Sequence, residues 1–459
     1  MSASGAPSLS DTILGIATPA GTAAIGVIRI SGPHAIPIVS KIVRPSSGSL
    51  EACEPRRLYR VPVVDPKTGD QLDVALVVVM PGPASYTGDD VVELSCHGNP
   101  VLLEAIVTLL AGGGARLASP GEFTRRAYLR GRLDLLQVEA VAELIGARTE
   151  QAIRLAARQL TGGLSDEVGR CRERLLDLIA SLEVALDFPD DEVGIGREAA
   201  GYQASNIVRE FDRLISAAQR GRAVQDGLSV MLAGAPNVGK SSLLNTLLGT
   251  ERAIVSPTPG TTRDLVDGTL VIEGVVVRII DGAGLADPLD AIDAEGMRRA
   301  RQALKTSDLV LVVLDRSRPV SSVDRDLLDG TSGCRRLVIA NKCDVPSAWE
   351  EATSTDCACS ALTGAGVDDL LHRLRLWVRE RTTSDGDEGG FVASLRVLDG
   401  LSAVRSAIDR GAHALMRGVP YEAALVDFRE AHVEIDRILG RETEDAVLDR
   451  IFAAFCIGK

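Results

Sequence analysis

The chain of 459 residues contains no run of about 18 apolar residues, so no membrane-spanning helix is expected. Its first stretch, MSASGAPSLSDT, has neither the basic nor the apolar region of a secretion signal, and a cytoplasmic location is expected. Eight cysteines are scattered without a C-x-x-C pair or metal-ligand spacing, which points to reduced thiols. No G-x-G-x-x-G is present to hold a dinucleotide, and no internal repeat is visible. Positive charge is not in excess either. The net charge of −13 argues against a generic nucleic-acid coat protein.

The charge is uneven along the chain. Residues 1–130 carry 11 Lys/Arg against 11 Asp/Glu, so the acidic excess lies wholly in the remainder. If RNA is touched directly, the neutral end and its basic junction RRAYLRGR (Arg125 to Arg132) are the expected surface. The plainer reading of such a cluster is a solvated helix face.

The length suggests two to four domains, and 45% hydrophobic residues supply their cores. In residues 11–130, AIGVIRI and VALVVVM read as strands, and PVLLEAIVTLLAGGG as a helix ended by glycines. This is an α/β module. From Leu133 the pattern turns helical: Leu133, Leu136, Ala140 and Leu144 share one face, as do Leu175, Leu178, Leu182 and Ala185. The same period returns at Leu401, Val404, Ile408, Ala412 and Leu415. Between these helical blocks strands alternate with helices, up to the polar linker TTSDGDEGG. The predicted organisation is therefore an α/β domain over 1–130, a helical domain over 131–225 plus 385–459, and an α/β domain inserted at 226–384.

The inserted segment carries the clearest chemistry. LSVMLAGAPNVGKSSLLNTLLG gives a strand, a Gly-rich loop and a helix, matching G-x-x-x-x-G-K-[ST] at Gly234, Gly239, Lys240 and Ser241. Glycines let backbone N–H groups wrap phosphates, and the helix N-terminus adds its positive end. Lys240 is expected on the β- and γ-phosphates and Ser241 on Mg²⁺. Asn341, Lys342 and Asp344 then end a predicted strand in RRLVIANKCD, where a carboxylate can accept from guanine N1 and N2 together. In ACSAL, the Ser360 and Ala361 backbone can approach guanine O6. The order of these pieces favours GTP over ATP. Thr262, in SPTPGTTRD, is the natural second Mg²⁺ ligand, and Asp281-Gly282-Ala283-Gly284 is the γ-phosphate sensor. The expected nucleotide contacts are Asn237, Val238, Gly239, Lys240, Ser241 and Ser242; Ser256, Thr258, Gly260, Thr261 and Thr262; Asp281 to Gly284; and Asn341, Lys342, Asp344, Ser360, Ala361 and Leu362. One element is missing. The residue after Gly284 is Leu285, where many such GTPases place a water-orienting Gln.

GAPNVGKSSLLN, PGTTRD, SYTGDDVVELSCHG, SPGEFTRRAYLRGRLDLLQVEAVAELI, LDFPDDE and the final FCIGK together resemble the MnmE (TrmE) family of tRNA-modification GTPases, in order and over nearly the whole chain. The resemblance implies an N-terminal tetrahydrofolate-binding domain that dimerises, a central helical domain and an inserted Ras-like G domain. It implies a homodimer acting with the flavoprotein MnmG, which carries the FAD. Together they place an aminomethyl-type group on C5 of the wobble uridine of certain tRNAs, using 5,10-methylene-tetrahydrofolate; 5-formyl-tetrahydrofolate is the related ligand. The family's folate contacts fall on Arg29, Glu93, Arg132 and Lys459. A carboxylate suits the pterin's amino-pyrimidine edge, and basic groups suit the tail.

The resemblance also bears on Leu285. The family hydrolyses GTP by K⁺-dependent pairing of two G domains, K⁺ acting where an arginine finger would. The K⁺ ligands carry over to Asn237, Ser256, Thr258 and Thr261. The family's water-orienting Glu, three residues before a glycine, falls on Asp293, one methylene shorter. Gly282 stands where the family prefers Thr, and Thr22 where many members place Arg. Cys456 is either a buried apolar thiol or a group near the folate or uridine, and His97 reads as a structural residue of a turn. A ribosome-assembly GTPase with a similar G domain, and a folate-dependent transferase with a merely regulatory G domain, are the competing readings.

Overall fold

The computed structural model describes residues 9–45, 48–188, 195–250, 252–253, 266–281, 304, 306–349, 354–383, 390–456 and 458–459. The chain divides into two compact units. One comprises residues 1–142, 160–200 and 413–459, the other residues 143–159 and 201–412.

The first unit is built on a six-stranded sheet. Its strands are β1 (Ile13–Ile16), β2 (Ala23–Ser31), β3 (Tyr59–Val64), β4 (Gln71–Met80), β5 (Val91–Gly98) and β6 (Arg116–Leu117), in the order β3-β4-β5-β2-β1-β6. Alternation sets its faces. On β2, Ile28 and Ile30 are buried while Val27 and Arg29 are half-buried; on β5, Leu94 is buried while Glu93 and Ser95 are half-buried. The helices α1 (Ala35–Ser40) and α2 (Pro100–Gly112) contribute Ala35, Ile38, Leu103 and Ile106 to the core of this sheet. The Asn99 side chain caps α2 by accepting from the N–H groups of Val101 and Leu102, with Pro100 following.

Helices α3 (Glu122–Leu129), α4 (Leu135–Gly146), α5 (Glu150–Leu160), α6 (Gly163–Asp187) and α7 (Arg197–Asp226) follow. Leu133, expected at the start of the helical pattern, precedes α4. Asp134 and Gln137 exchange backbone-to-side-chain bonds of 2.8 and 3.0 Å, a capping box that starts the helix at Leu135.

The second unit holds a seven-stranded sheet in the order β13-β12-β11-β7-β10-β9-β8. Its strands are β7 (Leu228–Ala233), β8 (Arg252–Ala253), β9 (Val266–Ile272), β10 (Val275–Asp281), β11 (Leu309–Asp315), β12 (Arg336–Asn341) and β13 (Cys357–Ala358). Strand β7 runs parallel to β10 and β11. Every residue of β11 is buried, as parallel strands covered on both faces require, which explains the unbroken run LVLVVLD. Helices α8 (Lys240–Thr250), α9 (Ser322–Gly330) and α10 (Val367–Thr382) alternate with the strands. Beyond the linker come α11 (Leu395–Met416), α12 (Tyr421–Leu439) and α13 (Asp445–Ala453). On α11 the predicted stripe of Leu401, Val404, Ile408, Ala412 and Leu415 is buried. Among the described residues no helix is long and apolar enough to cross a membrane.

Candidate functional sites

The nucleotide cradle lies at the C-terminal ends of β7 and β12. The loop after β7 turns through Asn237, whose φ of 63° is left-handed, a conformation Asn tolerates better than most residues. Gly239, at φ 98°, leaves room for Asn341: a Cβ there would sit 2.3 Å from Asn341 Nδ2. Asn341 Nδ2 donates to Val238 O at 2.7 Å, and Asn341 Oδ1 accepts from Ala361 N at 3.0 Å. One buried side chain therefore ties the phosphate loop to the base loop. Thr246 of α8 adds a second tie, donating to Ala361 O at 2.9 Å.

Lys240 folds back on its loop, its Nζ donating to Gly234 O at 2.9 Å and Ala235 O at 3.1 Å. Burial pushes its ammonium pKa down, while Asp281 pulls the other way. A buried cation that among the described residues bonds to carbonyls alone is poised for a polyanion. Ser241 and Ser242 are exposed at the start of α8. Asp281 ends β10 in register with Leu232 of β7. Hard oxygen donors from Ser241 and Asp281 suit Mg²⁺.

In the base loop, the N–H of Ser360 donates to Ala365 O at 2.8 Å, and that of Ala361 is taken by Asn341. Among the described residues the Leu362 N–H meets no protein acceptor, and Leu362 is 86% exposed. Lys342, at φ 65°, is held by Asp315, Nζ to Oδ2 at 2.7 Å. Burial raises the Asp315 carboxyl pKa, but bonds from Lys342 and Ser317 outweigh it and the net shift is downward. Asp344 is exposed. The sequence reading missed Asp315; the signal was an acid ending an otherwise apolar strand. Ser256, Thr258, Gly260, Thr261, Thr262, Gly282, Ala283, Gly284, Leu285 and Asp293 lie outside the described residues.

The second site is in the first unit. Arg29 and Glu93 are register partners on β2 and β5, and Arg29 Nε donates to Glu93 Oε1 at 2.8 Å. Arg29 also donates to Gly458 O at 3.2 Å, which brings the C-terminal stretch against the sheet. Its guanidinium lies 5.3 Å from the Tyr86 ring centre and 5.7 Å from that of Phe123, within cation–π range. Lys459 is half-buried here. Burial and then Arg29 lower its pKa, while Glu93 opposes them. Arg29 and Lys459 set two cations beside the Glu93 carboxylate, groups that can pair with a ligand's anionic oxygens and amino edge. Arg29, Glu93 and Lys459 thus come together. Arg132 is exposed beside the 81–90 loop, where a Cβ on Gly88 would lie 3.6 Å from its Cγ. Tyr86 and Phe123 lie in quoted motifs, but their place around Arg29 was not legible from spacing.

In the basic junction Arg125 and Arg126 do not form a solvated helix face, whereas Arg130 and Arg132 are exposed. Arg126 is 1% exposed and bonds to Glu122 at 3.1 Å, to Asp11 O at 2.8 Å and to the Asp11 carboxylate. Arg125 pairs with Asp449 at 2.9 Å and Arg130 with Asp89 at 2.8 Å. Arg116 bridges Asp11 and Glu122. A charge run read from sequence cannot reveal that acids distant in the chain neutralise it. His97 Nδ1 lies 2.6 Å from Asp73 Oδ1, consistent with a structural role. Cys456 is exposed, so the reading of a buried thiol does not hold. Among the described residues no cluster of three His, Cys, Asp or Glu could hold a metal.

Comparisons with known proteins cover nearly the whole chain. A family model described as "GTP-binding protein TrmE N-terminus" matches residues 12–132, and one described as "MnmE helical domain" matches residues 135–456. The tRNA modification GTPase MnmE of Syntrophobacter fumaroxidans is 41% identical, covering 98% of this chain and 98% of that protein. Its namesake from Geotalea uraniireducens is 38% identical, covering 98% of this chain and 100% of that protein. Among solved structures, an Aquifex aeolicus Era variant bound to GDP and AlF4⁻ is 27% identical over 39% of this chain and 66% of its own. Its TM-score of 0.27 is too low to carry an argument.

Proposed function

The chain belongs to the MnmE family of tRNA modification GTPases, and from that premise we propose how its residues divide the work. As a family member it is a GTP hydrolase that acts in tRNA modification. In our reading GTP lies in the cradle of the inserted domain at 226–384, with Lys240 on the β- and γ-phosphates and Mg²⁺ on Ser241 and Thr262. Asp344 reads guanine N1 and N2, and the backbone at Leu362 meets O6. Asn237, Ser256, Thr258 and Thr261 hold K⁺, whose charge stands in for an arginine finger. Asp293 orients the water that Leu285 cannot. The domain at 1–130 and Lys459 bind tetrahydrofolate through Arg29, Glu93 and Arg132. The helical domain is residues 131–225 plus 385–459. The chain works as a homodimer with MnmG on C5 of the wobble uridine.

The observation that carries the GTP half is the Asn341 bridge, which joins the phosphate loop to the base loop through 2.7 and 3.0 Å bonds. The Arg29–Glu93 pair beside Lys459 supports the folate half. Cells lacking the chain should lose the aminomethyl-type group from wobble uridines by mass analysis, and Asp293→Ala should fail to restore it. Turnover of GTP should rise in K⁺ and not in Na⁺. Unchanged uridines would refute the pathway, and equal turnover in the two salts would refute the K⁺ site.

A further inference from the structure

Within the second unit a cavity of about 730 Å³ opens at the end of the sheet away from the phosphate loop. Leu228, the first residue of β7, lines it, whereas the phosphate loop begins after Ala233. Six strand residues at about 3.3 Å each put roughly 17–20 Å between the two. The cavity is therefore separate from the nucleotide cradle.

Its lining carries four guanidiniums, Arg220, Arg222, Arg278 and Arg381, and three carboxylates, Asp226, Asp308 and Glu380. The carboxylates are all engaged by the protein itself. Asp226 takes Arg222 at 2.7 Å. Asp308 accepts from Ser229 N and Oγ at 2.8 and 2.7 Å, with Arg381 at 3.5 Å. Glu380 pairs with Arg335, which is not in the lining. Helices α7 and α10 end here at Asp226 and Thr382, and the negative ends of helices favour Arg222 and Arg381 beside them. That account does not extend to Arg278. It projects from the middle of β10, is exposed, and pairs with no carboxylate among the described residues. A guanidinium on a strand, uncommitted among the described residues and in a polar cavity whose acids are satisfied, is a fork for an oxyanion.

We propose that this cavity is a phosphate-binding site, with Arg278 as its anchoring cation. The phosphate is either a phosphodiester of the tRNA backbone or that of a free polyphosphate. The tRNA source rests on the functional reading above; the site itself does not.

The test uses the full chain with GDP saturating the cradle. Inorganic triphosphate is titrated by calorimetry, and tRNA binding is measured across a salt series, for wild type, Arg278→Glu and Arg278→Lys. Arg278→Glu should weaken the responsible anion about tenfold, as expected for a lost charge-assisted contact, and Arg278→Lys should lose less, because it keeps the charge without the fork. If tRNA is the source, the slope of log K against log salt should fall by about 0.9. Loss for triphosphate alone identifies a free anion, and loss for tRNA alone identifies the backbone. GDP affinity and GTP turnover should stay at wild-type values. Should the reversed charge disturb folding, Arg278→Gln carries the same test with a smaller loss of the same sign. Wild-type binding of both probes by Arg278→Glu overturns the proposal, whatever the fate of the wobble-uridine reading.

Discussion

The two units build their sites in opposite ways. In the second, the nucleotide cradle sits where parallel strands end, and its shape is set by backbone: a left-handed Asn237, a glycine that makes room, and N–H groups in a turn, with the Lys240 ammonium folded into the loop. Side chains such as Asn341 and Asp315 serve to hold loops. In the first unit the site is made of side chains on a sheet face, completed by residues more than four hundred positions away. It is backed by a buried ion network around Arg126. A backbone site should break when its conformation is changed. A side-chain site backed by buried charge should break when a charge is left unpaired.

The largest effect is expected at Arg126. Arg126→Met leaves the buried Glu122 and the half-buried Asp11 with part of their compensation gone, and removing one partner of such a network costs about 3–5 kcal/mol. The two tryptophans, Trp349 and Trp377, both lie in the second unit. Urea unfolding followed by circular dichroism should gain an early phase, while the tryptophan transition stays in place. A tryptophan midpoint that shifts equally would show that the network supports both units. Acid should act in the same direction. Burial raises the pKa values of Asp11 and Glu122, but bonds from Arg116 and Arg126 outweigh it and both are held below their ordinary values. Their contribution is thus complete above the ordinary carboxylate range and is lost as pH falls through the lowered folded values. Arg126→Met should flatten that acid dependence.

A smaller effect is expected at Gly239. A left-handed φ and a Cβ 2.3 Å from Asn341 Nδ2 mean that Gly239→Ala must displace the bridge to Val238. Strain of about 1–3 kcal/mol should weaken GDP roughly 5- to 150-fold. The early circular-dichroism phase should not appear in this variant. Unchanged GDP affinity would mean that the bridge can move at no cost, and the backbone account of the cradle would fail.

This contrast explains what was legible in the sequence. The phosphate loop is local: strand, glycines, lysine and helix follow one another, so spacing alone located it. The first-unit site has no such signal. Arg29 and Glu93 are 64 positions apart and meet only through the β2–β5 register, and family resemblance named them where periodicity could not. At the junction Arg125–Arg132, sign and spacing are visible in a sequence whereas the partners Asp11, Asp89 and Asp449 are not. Even in the cradle, the sequence placed the O6 donor at Ser360 and Ala361. Turn closure at Ala365 and the Asn341 bridge consume both N–H groups.

The smallest effect sharpens that last point. If the Leu362 N–H is the donor to guanine O6, its exposed side chain is irrelevant, and Leu362→Ala should bind GDP as the wild type does. Leu362→Pro removes the N–H itself. One hydrogen bond of ordinary strength, about 0.5–1.5 kcal/mol, corresponds to a loss of roughly 2- to 12-fold. Proline also biases Ala361 toward extended backbone, which could loosen its bond to Asn341 and weaken any nucleotide. The 2-aminopurine riboside diphosphate separates the two effects, because it keeps the 2-amino group and lacks O6. Loss of GDP affinity with unchanged affinity for the 2-aminopurine analogue would place the contact at O6. Equal losses for both would mean that proline acts through the bridge, and that the O6 donor lies elsewhere in the loop.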